Sequence, residues 1–274
     1  MKKGINLWCF PNDWSLKKRL ALAKDAGFHG IELNIEEEGY LRLESSENEL
    51  NEIRNLVNYY QLDIVGLSTS LFWKYSLTAN DFDSRQKALG IVKKMIEISS
   101  TLQVDTILVV PGLVTEDVRY DYAYERAMQS LKETAKFAEK KNVTIAIENV
   151  WNKFLLSPLE MKRFIEEIDS SFVKAYFDVG NILSVGFPDQ WISILGSHIQ
   201  KIHVKDYKNE TGNFHGFTSL FQGDINWPQV MNALQAINYN GYITAEVMPY
   251  KFYSERLIFE LSNSIDAMIN GGVR

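Results

Sequence analysis

The chain contains 274 residues, 46% of them hydrophobic, with six prolines and a net charge of -6. This length and composition provide for a large apolar core, which excludes an intrinsically disordered protein. The acidic balance repels nucleic-acid phosphates, and no Lys/Arg cluster is long enough to overcome that repulsion. We therefore expect a globular protein that does not bind nucleic acid.

No run approaches the roughly 18 consecutive apolar residues of a membrane span. The apolar stretch after Lys3 is interrupted at Pro11, too early for a secretory signal. We therefore expect a cytoplasmic protein with no membrane contact. The single cysteine, Cys9, excludes an intrachain disulfide, and its place at the end of an apolar run indicates a packed side chain rather than a nucleophile.

Strand-like and helix-like segments alternate along the chain, which is the order of a (β/α)8 TIM barrel. The predicted strands are eight short β-rich runs: Gly4 to Trp8, His29 to Asn34, Leu62 to Ser68, Val104 to Val110, Val143 to Glu148, Val173 to Asp178, Ile199 to Lys205 and Gly241 to Val247. A doubly wound open sheet is the alternative fold, but no G-x-G-x-x-G follows the first strand.

Apolar residues at three- and four-residue spacing predict helices between these strands. The clearest patterns are Ser15 to Ala26, Glu47 to Tyr60, Arg85 to Leu102, Asp121 to Lys141 and Pro158 to Ile168, and another near Phe252 to Met268 suits either core packing or an interface. No Pro/Gly/Ser linker divides the chain, so we predict a single barrel domain over residues 1–274.

Polar residues stand at the ends of four predicted strands: Glu148, Asp178, His203 and Glu246. Any one of them alone is as well explained by a helix cap or a solvated strand end. In four consecutive βα units they favour a shared site, because the carboxyl ends of barrel strands meet at one mouth. Three carboxylates and one imidazole suit Mn²⁺, Mg²⁺, Co²⁺ or Zn²⁺, and the lack of thiolates argues against structural zinc.

Strands five and eight stand three positions apart around an eight-strand ring, so we expect Glu148 and Glu246 to face each other across the mouth. An open coordination sphere there accepts two substrate oxygens, such as the carbonyl and neighbouring hydroxyl of a ketose. If one glutamate removes the proton beside the carbonyl and the other returns a proton to the opposite face, the carbon inverts. Two opposed carboxylates therefore favour epimerisation over aldose-ketose isomerisation.

Lys205 follows His203 by two positions and points the same way on a strand, into the mouth. Either it binds a phosphate or hydroxyl of the substrate, or it forms an ion pair with Asp206, Asp178 or Glu246.

Glu32 is predicted to point inward, where it either supports another site residue or contacts substrate. Trp151 is a candidate for an apolar wall beside a sugar, with core packing as the alternative. The longest loop, Asp206 to Asn226, is either a lid or an ordinary surface excursion held by its aromatic residues.

Five runs resemble the sugar phosphate isomerase/epimerase group of the xylose isomerase-like TIM barrels. They are IENVWNKF (147–154), FDVGN (177–181), IHVKD (202–206), GDINW (223–227) and ITAEV (243–247). The nearest pattern is that of the L-ribulose-5-phosphate (L-xylulose-5-phosphate) 3-epimerases, with the D-tagatose and D-psicose 3-epimerases as relatives.

The resemblance implies a divalent metal ion, preferably Mn²⁺, held by Glu148, Asp178, His203 and Glu246. It also implies that the two glutamates form the acid/base pair and that Asn181 contacts substrate. Relatives in this group are commonly dimers or tetramers, so we expect a homo-oligomer.

Two departures from the resemblance bear on the substrate. Free-ketose epimerases carry a further glutamate shortly after the strand-five ligand, where this chain reads Trp151 to Leu155 without an acid. They also carry an arginine in the loop after strand seven, where this chain has Lys208 and His215. The HVKD (203–206) and GDINW runs also resemble the phosphosugar branch more closely, which favours a phosphorylated ketose. Against this, the chain has no G-x-x-x-x-G-K-[ST] loop, and only Gly223 stands where a phosphate nest would form after strand seven.

Other functions remain open at this point. An inosose dehydratase or isomerase would use the same metal and enolisation chemistry, and a noncatalytic sugar-binding barrel would need no opposed glutamates. A multi-zinc DNA-repair endonuclease shares the barrel but needs more histidines than the four present here.

Overall fold

The computed structural model describes residues 1–271 and contains a closed barrel of eight parallel strands. The barrel strands are β1 (Lys2–Asn6), β2 (Gly30–Ile35), β3 (Asp63–Thr69), β4 (Thr106–Val109), β5 (Thr144–Glu148), β6 (Val173–Asp178), β7 (Ile199–Val204) and β10 (Tyr242–Ala245). Around the ring they follow the order β1-β10-β7-β6-β5-β4-β3-β2. The predicted (β/α)8 fold is confirmed.

The helices are α1 (Leu16–Asp25), α2 (Glu47–Tyr59), α3 (Leu71–Lys74), α4 (Phe82–Leu102), α5 (Tyr120–Lys141), α6 (Pro158–Ile168), α7 (Pro188–Leu195), α8 (Trp227–Ala236) and α9 (Ser254–Asn270). Their starts follow from local chemistry. Before α2, the Ser46 hydroxyl accepts from the Glu49 amide while the Glu49 carboxylate accepts from the Ser46 amide, which is a capping box. Within residues 1–271, no helix combines the length and apolarity needed to cross a bilayer.

Two segments differ from the predicted strands. The apolar run Gly4 to Trp8 is not all strand: β1 ends at Asn6, and Leu7–Cys9 forms a 3-10 helix because the Asn6 side chain accepts a hydrogen bond from the Trp8 amide. After β7, Asp206–Tyr207 (β8) pairs antiparallel with Phe217–Thr218 (β9), a hairpin absent from the prediction. In both places a side-chain hydrogen bond or a short pairing overrides the hydrophobic pattern.

By internal contacts the chain divides into two compact units. One comprises Met1–Leu33, Asn55–Val65 and the chain from Phe177 onward, and within it β10 pairs with both β1 and β7. The other comprises Asn34–Arg54 and Gly66–Tyr176, and within it β5 pairs with β4 and β6. The single domain over residues 1–274 stays a prediction.

Asp206 organises the segment after β7. One carboxylate oxygen accepts hydrogen bonds from the amides of Tyr207 (2.9 Å) and Ile225 (3.2 Å). The other accepts from the amide of Phe221 (3.0 Å) and from the indole Nε1 of Trp227 (2.9 Å). Because Asp206 is fully buried, these four donors replace its hydration shell and fix the long loop to the end of β7.

Gly223 is packed so closely on this carboxylate that no side chain fits. A Cβ there would lie 2.2 Å from Asp206 Oδ1 and 2.5 Å from the Tyr207 carbonyl oxygen. The glycine of the GDINW run therefore serves packing, and the carboxylate beside it disfavours a phosphate nest at Gly223.

Gly223→Ala tests this packing against a matched control, Gly90→Ala. Gly90 lies within α4, where an added Cβ meets nothing within 4 Å. We expect Gly223→Ala to lower the free energy of unfolding by about 1–3 kcal/mol through overpacking. Gly90→Ala should raise it by about 0.4–1 kcal/mol. Urea denaturation measures both, and equal stability of the two variants would contradict the packing argument.

Cys9 is fully buried, which confirms the predicted packed thiol. Its sulfur donates to the Ala245 carbonyl (3.4 Å) and accepts from the Val247 amide (3.2 Å), so it holds the backbone on both sides of Glu246. Burial raises the pKa of Cys9 to about 12.

We therefore expect Cys9 to resist Ellman's reagent in the native protein at about pH 8, where an ordinary exposed thiol is partly ionised. One thiol should appear only after denaturation in guanidinium. Fast reaction of the native chain, compared with that of free cysteine, would contradict a buried, protonated thiol.

Candidate metal centre

The four residues predicted as metal ligands come together. Glu148 and Asp178 are the last residues of β5 and β6, His203 is the penultimate residue of β7, and Glu246 directly follows β10. Each offers a donor atom, and these atoms lie within 4.8 Å of one another. Asp178 and His203 are completely buried, and Glu148 is nearly so.

Strand pairing and backbone hydrogen bonds fix three of these residues. His203 pairs with Thr244 across β7 and β10, and the Glu246 amide donates to the Val204 carbonyl (3.1 Å). The Val179 amide donates to the His203 carbonyl (3.1 Å). The ends of β6, β7 and β10 are thus tied together by main-chain bonds that do not depend on the side chains.

The FDVGN run provides two further contacts. The Asn181 amide donates to Asp178 Oδ1 (2.8 Å), which orients that carboxylate. A Cβ at Gly180 would lie 2.6 Å from Lys205 Cγ and 2.7 Å from the Lys205 carbonyl oxygen. Glycine at this position therefore lets the Lys205 side chain approach the end of β6.

Lys205 forms the predicted ion pair with two carboxylates of the cluster. Its Nζ lies 2.6 Å from Asp178 Oδ2 and 2.5 Å from Glu246 Oε2. The third partner considered from the sequence, Asp206, is instead held by the loop donors described above. Nζ also lies 5.4 Å from the centre of the Phe217 ring, so the β8–β9 hairpin flanks this lysine.

The two carboxylates bound by Lys205 respond differently to their surroundings. Burial raises the pKa of Asp178, and the positive charge of Lys205 only partly opposes the effect. Burial also opposes ionisation of Glu246, but its polar surroundings, with the positive charge of Lys205 the largest among them, outweigh it and hold the pKa of Glu246 below its usual value. Glu246 is therefore a carboxylate at neutral pH.

His203 is oriented by a buried neighbour on β2. Its Nε2 lies 2.9 Å from Glu32 Oε2, and both side chains are fully buried. Its other nitrogen, Nδ1, lies 3.7 Å from Glu246 Oε2 and faces the cluster. The predicted inward direction of Glu32 agrees with this contact, which favours the supporting role over a direct substrate contact.

The donor set fits a hard divalent ion. Opposite ligands of an ion with bonds of about 2.0–2.2 Å lie about 4.0–4.4 Å apart, so donors within 4.8 Å need only small adjustments to share one ion. The carboxylates already attract a cation, the Lys205 ammonium, and the free face of the imidazole points toward them. The groups that would hold the ion are therefore the carboxylates of Glu148, Asp178 and Glu246 and the Nδ1 atom of His203.

Two further predicted site residues, Asn181 and Trp151, follow β6 and β5. Asn181 is buried in the 3-10 helix Gly180–Ile182, directly after the end of β6. Trp151 lies in the loop after β5 and is 38% exposed, so core packing does not explain it. Substrate contact by either stays a prediction. Asn6 was missed: its side-chain amide donates to Glu32 Oε1 (2.7 Å), and the signal was a polar residue inside the first apolar run.

Lys205→Met tests whether this lysine compensates buried charge. Removing the ammonium leaves Asp178 and Glu246 facing each other, so we expect the free energy of unfolding to fall by about 3–5 kcal/mol in chelator-treated protein. Lys94→Met, which breaks the exposed pair with Glu97, is the control and should change it by less than about 0.5 kcal/mol. If urea denaturation shows equal losses of stability in the two variants, Lys205 does not compensate buried negative charge.

Comparisons with known proteins agree with this fold. A putative L-ribulose-5-phosphate 3-epimerase, SgbU, of Haemophilus influenzae is 26% identical over 261 residues, covering 91% of this chain and 90% of that protein. The L-ribulose-5-phosphate 3-epimerase UlaE of Salmonella heidelberg is 27% identical over 213 residues, covering 75% of this chain and 73% of that protein.

The crystal structure of D-psicose 3-epimerase with D-tagatose from Clostridium cellulolyticum H10 has the same fold. It superimposes with a TM-score of 0.81 at 18% identity, covering 98% of this chain and 99% of that one. The sequence pattern of the xylose isomerase-like TIM barrels matches residues 20–264. The chain therefore belongs to the xylose isomerase-like TIM barrel family, as its sequence motifs predict.

Proposed function

We propose that this protein is a divalent-metal-dependent 3-epimerase of a ketose phosphate, with Mn²⁺ as the preferred ion. The observation that carries the proposal is the cluster of three carboxylates and one imidazole at neighbouring strand ends, all within 4.8 Å. The names of two relatives, the L-ribulose-5-phosphate 3-epimerase of Salmonella heidelberg and the putative one of Haemophilus influenzae, support the reaction and the phosphorylated substrate.

Deprotonation at C3 is the difficult step, because a carbon next to a ketone is a weak acid. A divalent ion held by Glu148, Asp178, His203 and Glu246 would supply a Lewis acid, which would stabilise the negative charge that develops on the substrate carbonyl by several kcal/mol. Glu246 suits the role of base in one direction, since Lys205 keeps it ionised despite burial. It takes the C3 proton while the electron pair of the C–H bond moves into the enediolate.

Glu148 completes the reaction from the other side of the planar enediolate. Its protonated carboxyl group donates to C3, a new C–H bond forms on the opposite face, and the configuration inverts. In the reverse direction the two glutamates exchange roles. Both return to their starting protonation states by exchange with water, so no other reactant is consumed.

The surrounding residues bind the sugar in this proposal. Lys205 and Asn181 flank Asp178 and would donate hydrogen bonds to substrate oxygens. The exposed ring of Trp151 would cover an apolar face of the sugar. A cytoplasmic homo-oligomer, dimeric or tetrameric, stays our prediction.

Proton exchange at C3 tests the proposal. In D₂O with Mn²⁺, L-ribulose 5-phosphate should incorporate deuterium at C3 and invert there, as followed by NMR, and chelation should abolish both changes. Unphosphorylated L-ribulose, D-tagatose and D-psicose serve as comparison substrates, and faster turnover of these would shift the substrate to free ketoses.

Glu246→Gln and Glu148→Gln should each lower kcat by about 10²–10⁴ while the substrate still binds. Glu167→Gln is the matched control. The Glu167 carboxylate accepts a hydrogen bond from the Tyr124 hydroxyl on the barrel exterior, so this change should leave kcat unchanged. Tight binding without exchange by wild type would favour a sugar-binding barrel. If the protein neither binds any sugar of the panel nor catalyses exchange in it, that result would favour inosose chemistry.

A further inference from the structure

Three fully buried polar side chains form a continuous hydrogen-bonded chain behind the metal centre. Asn6 Nδ2 donates to Glu32 Oε1 (2.7 Å), and Glu32 Oε2 lies 2.9 Å from His203 Nε2. All three residues have no exposed surface. Strand register supports the arrangement, because Asn6 and Glu32 are direct partners across β1 and β2.

The backbone fixes the direction of every hydrogen bond in this chain. The Trp8 amide donates to Asn6 Oδ1 (2.7 Å), and since a backbone N–H can only donate, the oxygen of Asn6 must face it. The amide nitrogen of Asn6 then faces Glu32 and donates to it. With Glu32 ionised, both of its oxygens accept, and His203 Nε2 then carries the proton between them.

This direction determines which nitrogen of His203 is available to a metal. A neutral imidazole protonated at Nε2 has its lone pair at Nδ1, the atom that faces Glu246 at 3.7 Å. A proton on Nδ1 instead would block that lone pair. The 3-10 helix after β1 contributes no ligand, but its Trp8 amide determines, through Asn6 and Glu32, which nitrogen of His203 faces the metal centre with a lone pair.

We propose that Glu32 is a positioning residue that sets the tautomer of His203, and that Asn6 sets the orientation of Glu32. The inference about metal binding rests on the metal centre of the proposed function. Glu32 then acts through His203 and not by touching substrate, which explains why it is buried.

Glu32→Gln should reverse the tautomer although it changes the side chain by one atom. Asn6 presents an NH₂ group, so the oxygen of the new amide must face Asn6 and its NH₂ must face His203. Nε2 then has to accept, and the imidazole proton moves to Nδ1. We expect Mn²⁺ affinity to fall by about 10–100-fold.

The double variant Asn6→Asp/Glu32→Gln exchanges the carboxylate and the amide and restores the original direction. The new aspartate accepts from the Trp8 amide with one oxygen and from the new glutamine NH₂ with the other. The glutamine oxygen then accepts from His203 Nε2. Because shape and net charge match those of wild type, we expect Mn²⁺ affinity within a few-fold of wild type and protonation at Nε2.

The experiment combines two readouts on the full chain. Long-range ¹H–¹⁵N spectra of the four histidines in chelator-treated protein give the tautomer of His203, assigned by its loss in His203→Gln. Calorimetric titration with Mn²⁺ gives the affinity. Glu160→Gln is the matched control. The Glu160 carboxylate accepts a hydrogen bond from the Tyr120 hydroxyl and contacts none of Asn6, Glu32 and His203, so this change should alter neither readout.

The expected result is Nε2–H in wild type and in the double variant, and Nδ1–H with weakened Mn²⁺ binding in Glu32→Gln. A wild-type proton on Nδ1, or an unchanged tautomer in Glu32→Gln, would overturn the inference. If Glu32→Gln does not fold, a folded double variant with Nε2–H supports it and one with Nδ1–H overturns it. Failure of wild type to bind Mn²⁺ would overturn the proposed function instead, while the tautomers still decide the role of Glu32.

Discussion

The structure at the mouth of the barrel depends on compensation of buried negative charge. Asp178 is fully buried and only 18% of the Glu246 side chain is exposed, and the Lys205 ammonium lies within 2.6 Å of an oxygen of each. Buried carboxylates without a cation are costly, so this lysine is a condition for the cluster to exist. The same attraction for positive charge makes the cluster suitable for a divalent ion.

Several sequence features have their explanation in this compensation. Gly180 is glycine because Lys205 passes where a Cβ would stand. Cys9 is buried because its sulfur bonds the backbone on both sides of Glu246. Asp206 follows Lys205 directly but is bound by four loop donors, so it anchors the hairpin without competing for the lysine. Residues near the site thus serve either its charge balance or the backbone that carries it.

The barrel and the residues of the cluster were predictable from the sequence. The role of Asn6 and the contacts of Lys205 were not, and each has a physical reason. A parallel barrel strand buried on both faces is a nearly continuous apolar run, so a charged residue at its end is visible, as for Glu148 and Asp178. Asn6 escaped notice because Leu7–Cys9 is also apolar, and only the bond from Trp8 to Asn6 ends the strand there. The alternatives for Lys205 needed distances, which hydrophobic periodicity does not contain.

The most direct test of this account is an anomalous-scattering map at the manganese edge from crystals soaked in Mn²⁺. We predict one strong peak bonded to Glu148, Asp178, Glu246 and Nδ1 of His203, with Nε2 still bonded to Glu32 and Lys205 displaced from at least one carboxylate. No peak at the cluster, or coordination through Nε2 of His203, would contradict the account.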